Sequence, residues 1–252
     1  MRANRLGFAM LMGVMTVGIA LAGEEGELKR EAVTFHPRGD EAVNLAGEII
    51  WLPRDDLPPV RPGLVVCHPD PRMGGTMQNN VVCSVAERAA GAGLIVLRFN
   101  FRGAGGSSGS FDNGVGEVND ALGALDYLRQ RSEVNAERVL VVGYSFGSVV
   151  GLKAALADKR VRGCACVGFP LPPEEKVLSP FSFIRGTKLP LLFVSGSEDA
   201  YSGPENIRRL LKLTGVKGEV AVVEGSDHFF SPPGALAEMS LLVVQCARSL
   251  LQ

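Results

Sequence analysis

The chain has 252 residues, of which 46% are hydrophobic, and its 26 Lys and Arg nearly balance its 27 Asp and Glu. This length fits one large domain or two small ones with a well-buried core. The balanced charge argues against the strongly basic surface of a nucleic-acid-binding or anionic-membrane-binding protein, so we expect neither as a partner.

The N-terminus has the three parts of a secretory signal peptide. "MRANR" supplies two arginines, residues 6–22 form an uncharged apolar run, and Ala20 and Ala22 make an Ala-x-Ala site. We therefore predict a signal peptide over 1–22, cleaved after Ala22, and a periplasmic or secreted protein without stable membrane insertion. Two alternatives stay open: an uncleaved anchor, although the run is short for a bilayer, and a mis-called start upstream of a cytoplasmic protein.

From about residue 28 onward, short apolar runs alternate with stretches of helical spacing. Strands are predicted at 31–37, 45–52, 63–68, 93–100, 138–145, 161–169, 190–196 and 219–225, and helices at 79–90, 116–131, 145–157, 204–213 and 235–250. Several strands are apolar on both faces, as central strands of a parallel sheet are. The alternation predicts one α/β domain over 28–252, a doubly wound and mostly parallel sheet with helices on both faces. The first two strands are expected to be antiparallel edge strands.

The five cysteines follow no regular spacing, so they predict no disulfide framework. Cys67, Cys164 and Cys166 lie in apolar strand-like runs, where a thiol behaves as a small hydrophobic group. Cys164 and Cys166 are too close in the sequence for an ordinary zinc pair. We therefore predict structural cysteines and no bound metal.

The strongest chemical signal is "GYSFG" at residues 143–147, at the end of a predicted strand and the start of a predicted helix. Gly-x-Ser-x-Gly in this setting is typical of a nucleophile elbow, a sharp strained turn that lifts the serine hydroxyl above the sheet. The helix N-terminus favours negative charge that develops nearby. We predict that Ser145 is a nucleophile, and the alternative is an ordinary turn serine.

A serine nucleophile needs a base, and the base needs an orienting acid. Asp199 and His228 each follow a predicted strand, and the carboxyl ends of parallel strands meet at one edge of a sheet. The chain order Ser145, Asp199, His228 matches the order found with this elbow. Glu198 and Asp227 are rival acids, although Asp227 is poorly placed to orient the imidazole of its sequence neighbour.

These features resemble the alpha/beta-hydrolase superfamily from about residue 30 onward, and within it a group of small, lid-poor, dienelactone-hydrolase-like esterases. The group carries an HPxPxxGG loop, here residues 68–75, a segment like "RFNFRGAGGSSGSFDNGVGEVND" at 98–120, the serine elbow, and a late Asp and His. The resemblance implies an alpha/beta-hydrolase fold without a large lid and a serine hydrolase that needs no cofactor. One departure is clear: Asp70 stands where such relatives have a second His.

The resemblance also implies that the loop after His68 supplies one amide of an oxyanion hole. The proline after His68 has no N–H, so the candidate donors are the backbone N–H groups of Asp70 and of Phe146, which follows the nucleophile. The Asp70 carboxylate is unfavourable near an oxyanion unless it points away or is paired, for example with Arg72 or Arg102. His68 itself is predicted to brace the loop through backbone hydrogen bonds rather than to transfer protons.

The substrate pocket is the part that the sequence defines least. Tyr144, Arg102 and Phe181 are candidate pocket residues, with a structural role as the alternative for Arg102 and packing on the sheet as the alternative for Phe181. Further apolar candidates in the same segment are Val177, Leu178, Phe183 and Ile184. The segment before the strand at 190–196 is too short for a helical lid domain. We therefore expect an open site and a small-molecule substrate, a small or medium carboxylic ester or thioester.

Two other functions stay open. A peptidase acting on short peptides needs an acidic patch that binds the substrate amine, and a silent binding module with a hydrolase fold needs no chemistry at all. The joint presence of Ser145, Asp199 and His228 argues against the silent module. The sequence carries no signal for the oligomeric state.

Overall fold

The structure is a computed structural model that describes residues 26–171 and 181–251. The predicted signal peptide over 1–22 and the pocket candidates Val177 and Leu178 lie outside these residues. In the part of the chain that is described, no helix is both long and apolar enough to cross a membrane.

The predicted alternation of strands and helices is present throughout the described chain. The strands are β1 (Lys29–Phe35), β2 (Leu45–Trp51), β3 (Arg61–Cys67), β4 (Ile95–Phe99), β5 (Val134–Tyr144), β6 (Val161–Val167), β7 (Leu191–Gly196) and β8 (Glu219–Val223). The helices are α1 (Asn80–Gly91), α2 (Gly116–Arg129), α3 (Phe146–Ala157), α4 (Pro204–Thr214) and α5 (Ala235–Leu251), with 3-10 turns at Pro71–Met73 and Ser182–Ile184. The expected bounds are close to the observed ones, although β5 begins earlier than residue 138.

The described strands form one sheet in the order β1-β2-β4-β3-β5-β6-β7-β8. β2 pairs antiparallel with β1 and with β4, and the pairs from β4 through β8 are all parallel. This confirms the predicted mostly parallel sheet with an antiparallel pair at one edge, in which β1 is outermost. Helices α2, α3 and α4 bury apolar residues on one face, and α1 and α5 bury them on the other.

The second half of β5 shows why the central strands are rich in apolar residues. Val139 and Val141 belong to the apolar layer on one face, and Leu140 and Val142 belong to the layer on the other. Successive side chains of a strand point to opposite faces, so a strand covered by helices on both sides has no solvent-facing position. Each fully buried side chain of this size contributes about 1.5–3 kcal/mol.

The parallel strands end level with one another. Gly143 of β5 pairs with Cys67 of β3, and Tyr144 pairs with Val167 of β6. The loops after these strands therefore meet at one edge of the sheet, which we call the carboxyl edge. The predicted elbow, acid, base and oxyanion loop all follow strand ends at this edge.

Helix α2 buries charged residues in addition to its apolar ones. Glu117 and Asp120 are fully buried, and Arg129 is nearly so. The Glu117 carboxylate accepts hydrogen bonds from the N–H groups of Asp112 and Gly114, each at 2.7 Å. Buried charges persist only when they are paired or hydrogen-bonded, so Glu117 fixes the loop that precedes its own helix.

The strand cysteines are buried, as expected of structural residues. Cys67, Cys164 and Cys166 carry free thiols in the apolar layer beneath α2 and α3. Burial raises the pKa of the Cys67 thiol, which keeps it protonated. Within the described ranges, no three His, Cys, Asp or Glu side chains are grouped as metal ligands would be.

Candidate active site

Ser145 lies at the turn between β5 and α3 in a backbone conformation that few residues adopt. Its φ of 52° and ψ of −122° fall where glycine is favoured, and such strain costs about 1–3 kcal/mol. The Ser145 N–H donates to the Val167 carbonyl oxygen at 2.9 Å, which ties the turn to β6. This is the strained strand–turn–helix geometry that Gly-x-Ser-x-Gly predicts.

The two glycines of this turn allow close approach of neighbouring backbone. A Cβ on Gly143 would lie 2.1 Å from the Gly147 carbonyl oxygen, and a Cβ on Gly147 would lie 2.3 Å from that of His68. Neither position has room for a side chain. The start of α3 therefore packs directly against the loop that carries His68.

The structure brings Ser145, His228 and Asp199 into one hydrogen-bonded row. Ser145 Oγ lies 3.1 Å from His228 Nε2, and His228 Nδ1 lies 2.8 Å from Asp199 Oδ2. Asp199 Oδ1 also accepts from the N–H groups of Tyr201 and Ser202, at 2.8 and 3.0 Å. A carboxylate can only accept, so Nδ1 carries the ring proton and Nε2 can accept the serine proton. The imidazole is held in the tautomer that a general base needs.

The geometry separates Asp199 from the two rival acids. The Asp199 side chain is buried against the imidazole, whereas Glu198 is exposed. Asp227 turns back on its own loop and accepts from the N–H groups of Phe229 and Ser231, at 3.1 and 2.9 Å. Of these three carboxylates, Asp199 is the one hydrogen-bonded to the imidazole.

His68 is fully buried and hydrogen-bonds to backbone groups on two loops. Its Nε2 accepts from the Phe101 N–H at 2.9 Å, so Nδ1 carries the proton and donates to the Pro69 carbonyl oxygen at 2.6 Å. Burial lowers the pKa of His68 to about 4, which keeps the imidazole neutral. These contacts agree with the predicted bracing role, because His68 joins the loop after β3 to the loop after β4.

The two predicted oxyanion donors are backbone N–H groups at the carboxyl edge. Phe146 is the first residue of α3, where an N–H has no acceptor within the helix. Asp70 precedes the 3-10 turn at Pro71–Met73, and its N–H donates to no acceptor in the part of the chain that the structure describes. Both groups are thus available to an external oxygen.

The Asp70 carboxylate is paired with Arg72. It accepts from the Arg72 backbone N–H at 2.9 Å and from the guanidinium Nε and Nη2 at 3.1 and 2.7 Å. The side-chain hydrogen bond from Arg72 lowers the pKa of Asp70. The same guanidinium lies 4.4 Å from the centroid of the Phe111 ring, which adds a cation–π contact. Of the two candidate partners, Arg72 is therefore the one that binds Asp70.

Two of the candidate pocket residues have structural surroundings. Arg102 donates to Asp120 from Nε and Nη2 at 2.9 and 2.7 Å, which favours the structural role over a clamp for substrate. Phe181 is buried with its ring centroid 5.2 Å from that of Phe169, so it packs on the core. The other described candidates of this segment, Phe183 and Ile184, pack on the same apolar layer.

Three aromatic rings surround the imidazole of His228. Tyr144, the remaining candidate pocket residue, is buried with its ring centroid 5.5 Å away, and its hydroxyl donates to the His228 carbonyl oxygen at 3.2 Å. The rings of Tyr201 and Phe229 lie 4.6 and 5.4 Å away. Sequence reasoning missed these last two residues, whose only signal is their position just after Asp199 and His228.

The chain is similar to hydrolases of known structure. Residues 64–241 match the family described as "Alpha/beta hydrolase domain". An alpha-beta serine hydrolase homologue from Coxiella burnetii is 31% identical, with a TM-score of 0.72 over 86% of this chain and 96% of that one. An a/b serine hydrolase without lid from Xanthomonas campestris is 25% identical, with a TM-score of 0.66 over 88% and 93%. A dienelactone hydrolase-like promiscuous phosphotriesterase from metagenomic libraries shares the fold at 19% identity, with a TM-score of 0.68 over 90% and 100%.

Proposed function

The chain belongs to the alpha/beta hydrolase family, and we propose that it is a serine hydrolase of small to medium carboxylic esters and thioesters. The observation that carries this proposal is the unbroken row of hydrogen bonds from Ser145 Oγ through His228 to Asp199. An ordinary turn serine needs neither a strained φ nor a buried imidazole–carboxylate pair. The fold by itself carries less weight, because many unrelated functions share it.

In the proposed reaction, Ser145 Oγ attacks the carbonyl carbon while His228 Nε2 takes the hydroxyl proton. Asp199 holds the imidazole tautomer and stabilises the imidazolium that forms. The tetrahedral intermediate then breaks its bond to the leaving alcohol or thiol, which receives the proton from His228. Water releases the acyl group from Ser145 by a second attack of the same kind, again with His228 as the base.

We assign the oxyanion of the intermediate to the backbone N–H groups of Asp70 and Phe146. The support is the direct packing of Gly147 on the His68 carbonyl, which keeps the two loops together at the elbow. Loss of such a donor costs roughly 3–4 kcal/mol of transition-state stabilisation. Because the donor is a backbone group, an aspartate at position 70 is compatible with this role once Arg72 neutralises it.

The expected substrate size follows from the connection between β6 and β7. Residues 168–190 join these strands, and they are too few to form a helical lid domain over the site. The similar protein from Xanthomonas campestris is likewise described as lacking a lid. We therefore expect an open site, which favours soluble esters over lipids at an interface, and the same machinery serves thioesters.

A peptidase and a silent binding module are the alternatives. A peptidase needs a carboxylate that is free to bind the substrate amine. Asp70 and Asp227 lie on loops of the carboxyl edge, but Asp70 is bound to Arg72, and Asp227 accepts from backbone N–H groups of its own loop. A silent module has no need of the hydrogen-bonded row. The row therefore favours an enzyme over a silent module.

Hydrolysis of p-nitrophenyl acetate and butyrate tests the proposal. We expect turnover by the wild-type protein and a fall to the background rate in Ser145→Ala. Ser132→Ala, which alters an exposed serine in the turn before β5, is the matched control and should keep wild-type rates. Equally slow hydrolysis by wild type and Ser145→Ala would overturn the enzymatic proposal.

We also propose that the protein is exported and cleaved after Ala22. The support is the order of a basic segment, an apolar run and an Ala-x-Ala site in residues 1–22. Intact mass of the mature protein should place its N-terminus at Gly23, and fractionation should find it outside the cytoplasm. A mature protein that starts at Met1 would contradict cleavage.

A further inference from the structure

Two exposed aromatic rings lie beside the imidazole of His228. Tyr201 is 55% exposed and Phe229 is 54% exposed, although both rings are within contact range of a buried imidazole. Full burial of such a side chain contributes about 1.5–3 kcal/mol, so half of that gain is left unused in the free protein. Both rings therefore keep exposed surface that a bound substrate could contact.

The position of these rings differs from that of the other exposed apolar residues at the carboxyl edge. Met73 and Val115 are aliphatic and strongly exposed, and they lie on the loops after β3 and β4. The Val115 loop packs on α3, because Gly114 approaches the Phe146 ring. The exposed aliphatic residues therefore lie on the loops beside the proposed oxyanion donors, and the exposed aromatic residues lie beside the base.

The chemistry assigns a different part of the substrate to each side. When the tetrahedral intermediate collapses, the C–O bond to the alcohol breaks and His228 Nε2 delivers its proton to that oxygen. The alcohol must therefore leave next to His228. The carbonyl oxygen meanwhile points to the N–H groups of Asp70 and Phe146. The rings of Tyr201 and Phe229 contact the imidazole that delivers this proton, at centroid distances of 4.6 and 5.4 Å.

We propose that Tyr201 and Phe229 form a leaving-group subsite that selects esters of arylmethyl alcohols, such as benzyl esters. This inference rests on the proposed function, since it needs Ser145 to be acylated. A flat aromatic alcohol stacks or packs edge-on against both rings, and their separation of 6.3 Å with an interplanar angle of 83° offers one face and one edge. An aliphatic ring of equal size buries similar area on these rings but lacks the aromatic pair geometry.

The experiment compares benzyl butyrate with cyclohexylmethyl butyrate. The two alcohols have similar size, and both esters give the same butyryl-enzyme. Benzyl alcohol is the more acidic of the two, and this intrinsic difference is the same for wild type and for every variant. Because kcat/KM reports only acylation here, the change in its ratio between wild type and variant isolates recognition of the alcohol. We expect the wild-type protein to favour the benzyl ester by about three- to tenfold, which is the range of an aromatic pair.

Variants separate recognition from mere packing on the imidazole. Tyr201→Leu and Phe229→Leu should bring the ratio towards one, with most of the loss on the benzyl ester, whereas Tyr201→Phe should keep it. Leu213→Ala, at an exposed residue of α4, is the control and should leave both kcat/KM values unchanged. Equal wild-type kcat/KM for the two esters, or an equal fall for both in the Leu variants, would overturn the subsite.

Labelling with a fluorophosphonate distinguishes failure of this inference from failure of the proposed function. A wild-type protein that labels at Ser145 but shows a ratio of one retains the hydrolase proposal and loses only the subsite. A wild-type protein that neither labels nor cleaves either ester loses both.

Discussion

Two buried carboxylates at opposite ends of the molecule have different partners. Asp199, at the carboxyl edge, faces an imidazole whose other nitrogen reaches Ser145. Asp158 lies between the end of α3 and the start of β6, and it is surrounded by guanidinium groups. Its carboxylate accepts from Arg129 at 2.7 Å and from Arg38 and Arg160 at 3.1 Å each.

The partners decide what each carboxylate can do. Burial alone would raise the pKa of Asp158, but the hydrogen bonds from Arg160 and the charge of Arg129 hold it well below its usual range. A guanidinium does not release its proton in a protein, so this cluster cannot move protons. An imidazole can both accept a proton and donate one. The Asp158 cluster is therefore suited to stability, and the Asp199 pair to chemistry.

The backbone shows the same difference between the two ends. Among the described residues, the non-glycine residues with positive φ are Asn113, Ser145 and Phe230. Each lies on a loop that follows the carboxyl end of a strand. Strain of this kind persists where the surrounding structure enforces it and is common at functional sites. The residues with positive φ therefore lie at the same edge of the sheet as the hydrogen-bonded row of Ser145, His228 and Asp199.

Of the substitutions at the two carboxylates, Asp199→Asn should have the larger effect on activity. The amide oxygen can keep the hydrogen bonds from Tyr201 and Ser202, while the amide NH₂ donates to His228 Nδ1 and moves the ring proton to Nε2. The imidazole is then in the wrong tautomer to take the serine proton, so we expect kcat to fall on the order of 10⁴-fold. Steady-state kinetics with p-nitrophenyl butyrate measures this. A fall of less than tenfold would mean that Asp199 does not orient the base.

Asp158→Asn should have the largest effect on stability. It leaves Arg129 buried without a countercharge, and removal of one partner from a buried pair costs about 3–5 kcal/mol. Urea unfolding should show this loss, and kcat of the folded protein should stay at the wild-type value. The matched comparison is Asp199→Asn, for which we expect a smaller loss of stability. A folded Asp158→Asn protein without activity would contradict the claim that Asp158 serves stability and Asp199 serves chemistry.

The lowered pKa of His68 should make the stability of the protein depend on pH. Its pKa is about 4 in the folded chain and about 6.5 when unfolded, so between these values the unfolded chain binds more protons. The stabilisation is complete above about pH 6.5 and is lost as the pH falls towards 4, by up to ~1.4 kcal/mol per pH unit. Urea unfolding over this range should give a shallower pH dependence for His68→Gln than for wild type. Equal slopes would mean that His68 does not titrate in this window.

Substitutions in the Asp70–Arg72 pair should have the smallest effect on kcat/KM. The direction of the change shows whether the Asp70 charge is responsible. Arg72→Ala leaves the Asp70 carboxylate unpaired near the oxyanion donors, so we expect kcat/KM to fall by less than about tenfold, as for one partly exposed charge. Asp70→Asn should change kcat/KM little, because the backbone N–H is retained. The double variant should recover the loss of Arg72→Ala. A double variant as slow as Arg72→Ala would show that the Asp70 charge is not responsible.

The sequence predicts the sheet and the row of site residues because both depend on local patterns. A strand covered on both faces is mostly apolar, and the elbow needs Gly143 and Gly147 around its serine. The order of Ser145, Asp199 and His228 after successive strand ends then places them at one edge of the sheet.

The features that sequence reasoning missed depend on contacts between distant segments. Helical spacing puts Glu117 and Asp120 away from the apolar face of α2, yet both are buried, because the preceding loop donates to Glu117 and Arg102 donates to Asp120. For Phe181 the sequence left a pocket role and packing on the sheet open, and the position of Phe169 beside it favours packing. No local pattern encodes these pairings.

Covalent labelling tests whether Ser145 is an activated nucleophile. Wild type, Ser145→Ala and Ser132→Ala are incubated with a fluorophosphonate, and adducts are measured by intact mass and located by peptide mapping. We expect one adduct per chain in wild type and in Ser132→Ala, located on Ser145, and none in Ser145→Ala. A folded wild-type protein that forms no adduct, or the same adduct on Ser145→Ala, would contradict it.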